Sequence, residues 1–453
     1  MNRNPIYLTD LLLLRDLFAK HHTLLIIDPL HRLIGECTGD AVVLEKRPEA
    51  GFDEAFVAEL NDIHQLSFYL KNNTAISFSE MAYINNPDGT IRWFFPLTKG
   101  VPGHLSLYNS VSLKAKIYKW VSTVAGRLGQ TRLLASGIIR MQQNLLDQVK
   151  TVNDITPEED ISFFTGTRGA TRKVVMEIHN KETTVAFVKI PVTPVSEELV
   201  KTETEMLKEL NKYDFTTLSL PKVSRKIEGH ARLSNVKPGI TIPADRITAI
   251  HIKALAELYA LSHERKAISD STAWETISAN MEWLKRDLLF TNGLDSKSTG
   301  NLVKLLRKLY NTFSAGESIS LSVSHGDFTP WNMYCDEQRL YVYDWEMSRN
   351  GIPMFFDLFH FTYQSTILQQ RKDYSTVKSS INLWKQQPLV QQMLQKYKIN
   401  LALHEKLYLL FTVSYYLRQY LNEKELLQQS HWMIKAWTEA ITDQLETVSN
   451  TSH

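Results

Sequence analysis

The side chains best suited to chemistry lie in the last third of the chain. His325-Gly326-Asp327-Phe328-Thr329-Pro330-Trp331-Asn332 sets an Asp and an Asn five positions apart on one loop, and Asp344 follows twelve positions after Asn332. Phosphoryl transfer from ATP to an alcohol needs this set of groups. A carboxylate must orient the acceptor hydroxyl and take its proton, and further oxygen ligands must hold Mg2+ on the phosphates. Asp327 suits the first task, and Asn332 and Asp344 suit the second.

Two short strands are expected to position these groups. Leu321-Ser322-Val323-Ser324 runs into His325, and Arg339-Leu340-Tyr341-Val342-Tyr343 runs into Asp344. Charged residues held at strand ends by short loops are a common way of building a site. The ordered set, His-Gly-Asp, four residues, Asn, then a strand ending in Asp344-Trp345-Glu346, resembles the aminoglycoside phosphotransferase and choline kinase family of the protein-kinase-like fold. That resemblance implies a brace for the catalytic loop at Asp357, in Phe355-Phe356-Asp357-Leu358-Phe359-His360-Phe361. Gly326 stands where most protein kinases carry an Arg that answers to a phosphorylated activation loop. Constitutive action on a small molecule or glycan is therefore expected.

The same resemblance asks the preceding β-rich lobe for a nucleotide clamp. Phe164-Thr165-Gly166-Thr167-Arg168-Gly169-Ala170-Thr171 is short, polar and Gly-containing, as a loop must be if its amides are to approach phosphates. Gly166 and Gly169 are its candidate residues. Arg168 and Arg172 depart from the small residues expected there, and no Asn follows the second Gly. Lys189, at the end of Ala186-Phe187-Val188, is implied to hold the α- and β-phosphates. Glu203, in Thr202-Glu203-Thr204-Glu205-Met206-Leu207, is its implied partner, with Glu205 or Glu198 as substitutes if the register differs. Leu233-Ser234-Asn235-Val236-Lys237-Pro238-Gly239 stands where the family's hinge lies, so the backbone of Ser234 and Val236 is implied to meet adenine.

The wider pattern fits an α+β protein: a two-lobed, protein-kinase-like fold with a β-rich N-lobe and a helical C-lobe, preceded by a small α+β N-terminal domain. The expected domains are 1–155, 156–238 and 239–453. The first boundary follows the acidic stretch Val152 to Asp160, where Pro157 breaks the apolar period. Within the first domain, Leu24–Ile27 and Ala41–Leu44 read as short buried strands. Asn86-Pro87-Asp88-Gly89-Thr90 reads as a hairpin turn between two apolar runs. Leu11–Leu14, hemmed in by Asp10, Arg15 and Asp16, reads as part of an N-terminal amphipathic helix, and Ser112–Arg127 and Leu133–Val149 have helical spacing.

Composition narrows the function. With 51 Lys and Arg against 49 Asp and Glu in 453 residues, the net charge of +2 gives no global attraction to nucleic acid or an anionic membrane, which leaves only local patches. Two cysteines, Cys37 and Cys335, suit a reducing compartment, so a cytoplasmic location is expected. The longest apolar stretch, Leu407 to Leu417, is 11 residues, against the roughly 20 needed to span a bilayer.

The acceptor is expected to be a neutral or anionic hydroxyl compound, a sugar or glycan intermediate. Polycationic aminoglycosides need an acidic cleft, whereas Gly351 to His453 holds 8 acidic and 10 basic residues. The competing readings are a choline or amino-alcohol kinase, with Trp384, Tyr415, Tyr416, Tyr420 and Trp432 as a cation cage, transfer of AMP instead of phosphate, and a non-catalytic nucleotide- or partner-binding module.

Overall fold

The computed structural model describes residues 5–35, 41–48, 51–52, 54–62, 65–71, 77–105, 113–166, 169–180, 183–227, 229–236, 245–287, 296–314, 316–421 and 426–451. Two compact units make up the chain: residues 1–204 with 222–235, and residues 205–221 with 236–453.

The first unit is built mainly on one large sheet, beside a two-stranded pairing of Ile6–Tyr7 with Leu33–Ile34. Leu24–Ile27 is aliphatic at every position and buried throughout, as a strand covered on both faces must be. Parallel partners flank it, Ala41–Leu44 on one side and Phe56–Asp62 on the other. The hairpin expected around residues 86–90 joins Phe78–Asn85 to Ile91–Pro96. Asn86 N–H donates to Thr90 O at 2.7 Å, Asp88 Oδ1 accepts from Thr90 N–H at 2.9 Å, and Gly89 takes the left-handed conformation (φ 88°).

Among the described residues twelve strands form this sheet. Five of them, Val223–Ile227, His230–Ser234, Thr183–Pro191, Lys173–Asn180 and Glu159–Phe164, come from the expected β-rich lobe, and the rest from residues before 155. Glu159–Phe164 is the seam. It pairs antiparallel with Lys173–Asn180 on one edge and with Ile91–Pro96 on the other, in the register Phe163↔Phe94. The division expected at 155/156 therefore falls inside one compact unit, where the ladder and a single core cluster run across it. Fully burying an aromatic or aliphatic side chain is worth roughly 1.5–3 kcal/mol, and Phe18, Phe94, Phe163, Val174 and Val188 all lie in that shared core. The other expected division, at 238/239, lies outside the described residues.

One expectation is overturned. The helix anticipated over Leu133–Val149 is a 3₁₀ turn, a strand Gly137–Gln142 and a helix Gln143–Val152. The strand is inserted between Phe78–Asn85 and Gln65–Leu70, where Ile138, Ile139 and Met141 are buried. A Cβ at Gly137 would stand 2.4 Å from Tyr83 Oη. Tertiary pairing outweighs the local helical spacing here.

The second unit is mostly helical, with helices at Ala249–Ser262, Thr272–Asp287, Ser296–Tyr310, Phe356–Gln364, Tyr374–Lys385, Pro388–Lys396, Leu401–Tyr420 and Gln428–Thr451. Leu401–Tyr420 buries Leu407 to Ser414 without a break, as its apolar run requires. Two small sheets interrupt the helices. Ser318–Ser324 pairs with Glu264–Ala267 and Arg349–Pro353, and Leu340–Val342 pairs with Met333–Cys335 and Leu218–Ser219. No described helix is long and apolar enough to cross a membrane.

Candidate active site

In the second unit, the strand Ser318–Ser324 delivers a fully buried His325 and then Gly326. Gly326 has φ 83°, and a Cβ there would meet Met347 O at 2.2 Å, so the turn admits only glycine. Asp357, 1% exposed, holds this turn from the next helix. Its Oδ1 accepts from Ser324 Oγ at 2.8 Å and Gly326 N–H at 3.1 Å, and its Oδ2 accepts from His325 N–H at 2.9 Å. His325 Nδ1 accepts from Asp327 N–H at 3.2 Å, which leaves Nε2–H to donate to Tyr343 O at 3.1 Å. One tautomer thus ties both loops together.

Asp327 is held by one donor on each oxygen. Asn332 Nδ2 donates to Oδ2 at 2.7 Å and to the Asp327 carbonyl at 3.0 Å. His360 Nε2 lies 3.2 Å from Oδ1. A carboxylate has about four lone-pair sites, so these two contacts orient the group and leave acceptor capacity toward solvent, where its side chain is 32% exposed. Sequence reasoning gave His360 no role. The available signal was its place three residues after Asp357, on the same face of the helix Phe356–Gln364.

Asn332 and Asp344 come together through the hairpin that links them. Met333 pairs with Val342, and one step toward the open end Tyr343 N–H donates to Asn332 O at 3.1 Å. Asp344 then adopts a left-handed conformation (φ 68°, ψ 56°), unusual for a residue other than Gly, Asn or Asp, and starts a 3₁₀ turn. Such outliers are kept where the surroundings over-determine them. Nδ2 of Asn332 is spent on Asp327, which leaves Oδ1 of Asn332 and the Asp344 carboxylate as oxygen ligands of the type a hard divalent cation takes.

In the first unit, Lys189 Nζ lies 2.8 Å from Oε1 and 2.6 Å from Oε2 of Glu203, and both residues are buried. The expected pair is formed, and the register is that of Glu203, since Glu198 and Glu205 are exposed. The helix Pro194–Leu210 fixes that register through its N-terminus. Thr193 Oγ1 accepts from Ser196 N–H, Ser196 Oγ accepts from Thr193 N–H, each at 3.0 Å, and Pro194 follows the cap. Val200 and Glu203 then share the buried face.

The glycine loop is held from an unexpected direction. Gly166 has φ 73°, with room for no Cβ because Lys173 O would be 2.3 Å away, and Gly169 has φ 145°. Arg172 is engaged on two sides. Its Nε donates to Thr165 O at 3.0 Å, and its Nη2 lies 3.7 Å from Oδ1 of buried Asp10, on the helix Leu8–Phe18. The other Asp10 oxygen accepts from Ile91 N–H at 3.0 Å. Arg168 lies outside the described residues. At the expected hinge, Ser234 N–H donates to Lys222 O and Ser234 Oγ accepts from Lys222 N–H, both at 2.9 Å. That amide belongs to the sheet edge and is no donor for a base; the expectation for Ser234 is corrected to that extent. Val236 lies two residues past the strand end.

The strand-end loop carries Asp327 and Asn332, and the hairpin that follows ends at Asp344. Residues 174–370 match the model of the phosphotransferase enzyme family. Among solved structures, the GDP complex of a mutant aminoglycoside 2'-phosphotransferase IIIa is similar at 13% identity and a TM-score of 0.44, covering 69% of this chain and 99% of that one. A glucosamine kinase is similar at 14% identity and a TM-score of 0.37, covering 66% and 83%. Amicoumacin kinase in complex with AMP-PNP, Ca2+ and Ami is similar at 12% identity and a TM-score of 0.38, covering 67% and 93%. The search of curated proteins gave no match.

Proposed function

We propose that the chain transfers the γ-phosphoryl group of ATP, with Mg2+, to a hydroxyl of a sugar or glycan intermediate. The observation that carries this reading is the Asp327 carboxylate, gripped on one oxygen by Asn332 and on the other by His360. A loop brace would need neither grip, because Asp357 already makes the structural bonds of this turn.

In a loose transfer the acceptor oxygen gains little charge before it bonds, so Asp327 acts mainly by placing the hydroxyl in line and taking its proton late. His360 and Asn332 keep its two oxygens in that orientation. Lys189, held by Glu203, neutralises the α- and β-phosphates, and backbone amides around Gly166 and Gly169 approach them. Asn332 Oδ1 and the Asp344 carboxylate would hold Mg2+, which supplies charge neutralisation on the phosphates.

Two observations bear on the acceptor. The segment 351–453 carries no acidic excess, which disfavours a polycation. Of the aromatics that could cage an ammonium, Trp384 is buried, stacked on Phe355 with its Nε1–H on Thr362, while Trp432 lies under Arg371 at 5.0 Å and Tyr416 is stacked on Trp437. These rings are committed to packing. The test is to incubate the purified protein with labelled ATP, Mg2+ and a panel of sugars, sugar phosphates, amino alcohols and aminoglycosides, and to weigh the product. Added phosphate on a sugar hydroxyl supports the proposal. Added AMP, or Mg2+-dependent turnover with choline alone, replaces it, and nucleotide binding without turnover on any acceptor favours the non-catalytic module.

A further inference from the structure

The helix Leu113–Arg127 is inside out for a soluble protein. The face turned to the protein is small or polar: Ser122 and Gly126 are buried, a Cβ at Gly126 would strike Gly100 O at 2.2 Å, and Tyr118 Oη meets His104 at 3.3 Å. The apolar residues face water. Ile117, Trp120, Val121 and Val124, and Leu128 just past the last turn, are all exposed, Trp120 at 68% and Leu128 at 67%. At 3.6 residues per turn these five cover an arc of about 100°. Lys116 and Arg127 flank that arc within about 40° on the Trp120 side, by the same helical geometry. Leu133, 78% exposed, and Leu134 extend the patch beyond the helix. Single exposed apolar residues need no explanation, but a contiguous stripe marks an interaction surface.

Charge says what kind. From Gly89 to Leu146 the sequence contains no Asp or Glu and eight Lys or Arg, in a chain whose overall balance is only +2. Of the acids outside this stretch, Glu80 pairs with Arg132 at 2.6 Å and Asp10 accepts from Ile91 N–H at 3.0 Å. A helix with Trp and branched aliphatics on one face and Lys and Arg at its edges is the pattern that lies in a bilayer interface, its apolar arc among the acyl chains and its cations at anionic headgroups. We propose that Leu113–Arg127 is a membrane-surface helix that docks the protein on an anionic lipid bilayer. It lies on the membrane and does not span it, and the inference is independent of the phosphotransferase reading.

The experiment is flotation of the full chain with vesicles of phosphatidylcholine alone and with about 30% phosphatidylglycerol, at low and high salt. The protein should float with the anionic vesicles and do so less on neutral ones and at high salt. The double variant Trp120→Ser/Leu128→Ser removes only exposed side chains, so its melting temperature should be unchanged while binding falls at least about tenfold. Lys116→Glu/Arg127→Glu should abolish the preference for anionic lipid. Equal binding to both vesicle types, no flotation, or flotation of the Trp120→Ser/Leu128→Ser variant like the parent overturns the proposal. So does a dimer in solution that this variant dissolves while vesicles stay unbound, which would assign the face to a second copy.

Discussion

The phenyl rings of Phe94 and Phe163 stack 4.4 Å apart at an interplanar angle of 10°, both wholly buried. Phe94 belongs to the N-terminal hairpin and Phe163 to the first strand of the kinase-like segment, and the edge of Phe18 meets Phe163 at 5.7 Å. The N-terminal region is thus part of the small lobe's core. Phe163→Ala should cost about 3–5 kcal/mol and lower one calorimetric transition that includes residues 1–155. A chain starting at residue 156 would expose Glu159–Phe164 as an open apolar edge and should aggregate. An independent melting transition for residues 1–155 would contradict this.

Lys189 and Glu203 form a buried ion pair, so each single removal strands a charge. Lys189→Ala should lose about 3–5 kcal/mol together with nucleotide affinity. The double variant Lys189→Met/Glu203→Met should recover stability, because a well-packed apolar pair can replace a buried ion pair at no net cost, yet remain inactive. Melting temperature and nucleotide titration on the three proteins separate structural from functional loss.

Asp327 and Asp357 should behave oppositely. Asp327→Asn keeps the shape and loses the charge, so ATP should still bind while transfer falls roughly a hundred- to ten-thousand-fold. Asp357→Ala removes the acceptor for three donors and should destabilise the protein, by about 1–3 kcal/mol for each donor left unsatisfied. His360→Gln should lower turnover with little change in melting temperature. A stable Asp327→Asn protein with full turnover would exclude a catalytic role.

Asp10 reaches Thr165, at the start of the glycine loop, through Arg172. If that loop covers the phosphates, Arg172→Met and Asp10→Asn should each raise the nucleotide KM about tenfold, as loss of a charge-assisted bond does, with kcat little changed. An unaltered KM in folded variants of both residues would separate the N-terminal helix from nucleotide binding.

Burial raises the pKa of Glu405 to about 7, aided by Asp443 and opposed by the hydrogen bond from Tyr363, by Lys378 and by Gln444. Its folded pKa lies above the unfolded value of about 4.5, so the native state binds more protons between those limits and stability falls as pH rises through that window. Glu405→Gln keeps an acceptor for Tyr363. Its melting temperature should change less than that of the parent between pH 5 and 8, and should exceed the parent's at pH 8. Parallel melting curves for the two proteins would contradict the shift.

The sequence by itself determined the chemistry-bearing set and the local elements that carry it. His325, Gly326, Asp327, Asn332 and Asp344 are close in the chain, so strand ends and a short hairpin bring them together without long-range information. The Lys189–Glu203 pair was legible through the resemblance, which implies a lysine at a strand end and a glutamate on the helix that follows. The tertiary structure decided whatever depended on distant pairing. Gly137–Gln142 is a strand because two other strands claim it, against its helical spacing. Phe163 meets Phe94, and Arg172 meets Asp10 across 162 positions, because the sheet continues through residue 155, and no local pattern encodes which strand takes an open edge. His360 reaches Asp327 from another element, and burial alone reverses the helix Leu113–Arg127, whose periodicity shows an apolar face but not the direction in which that face points.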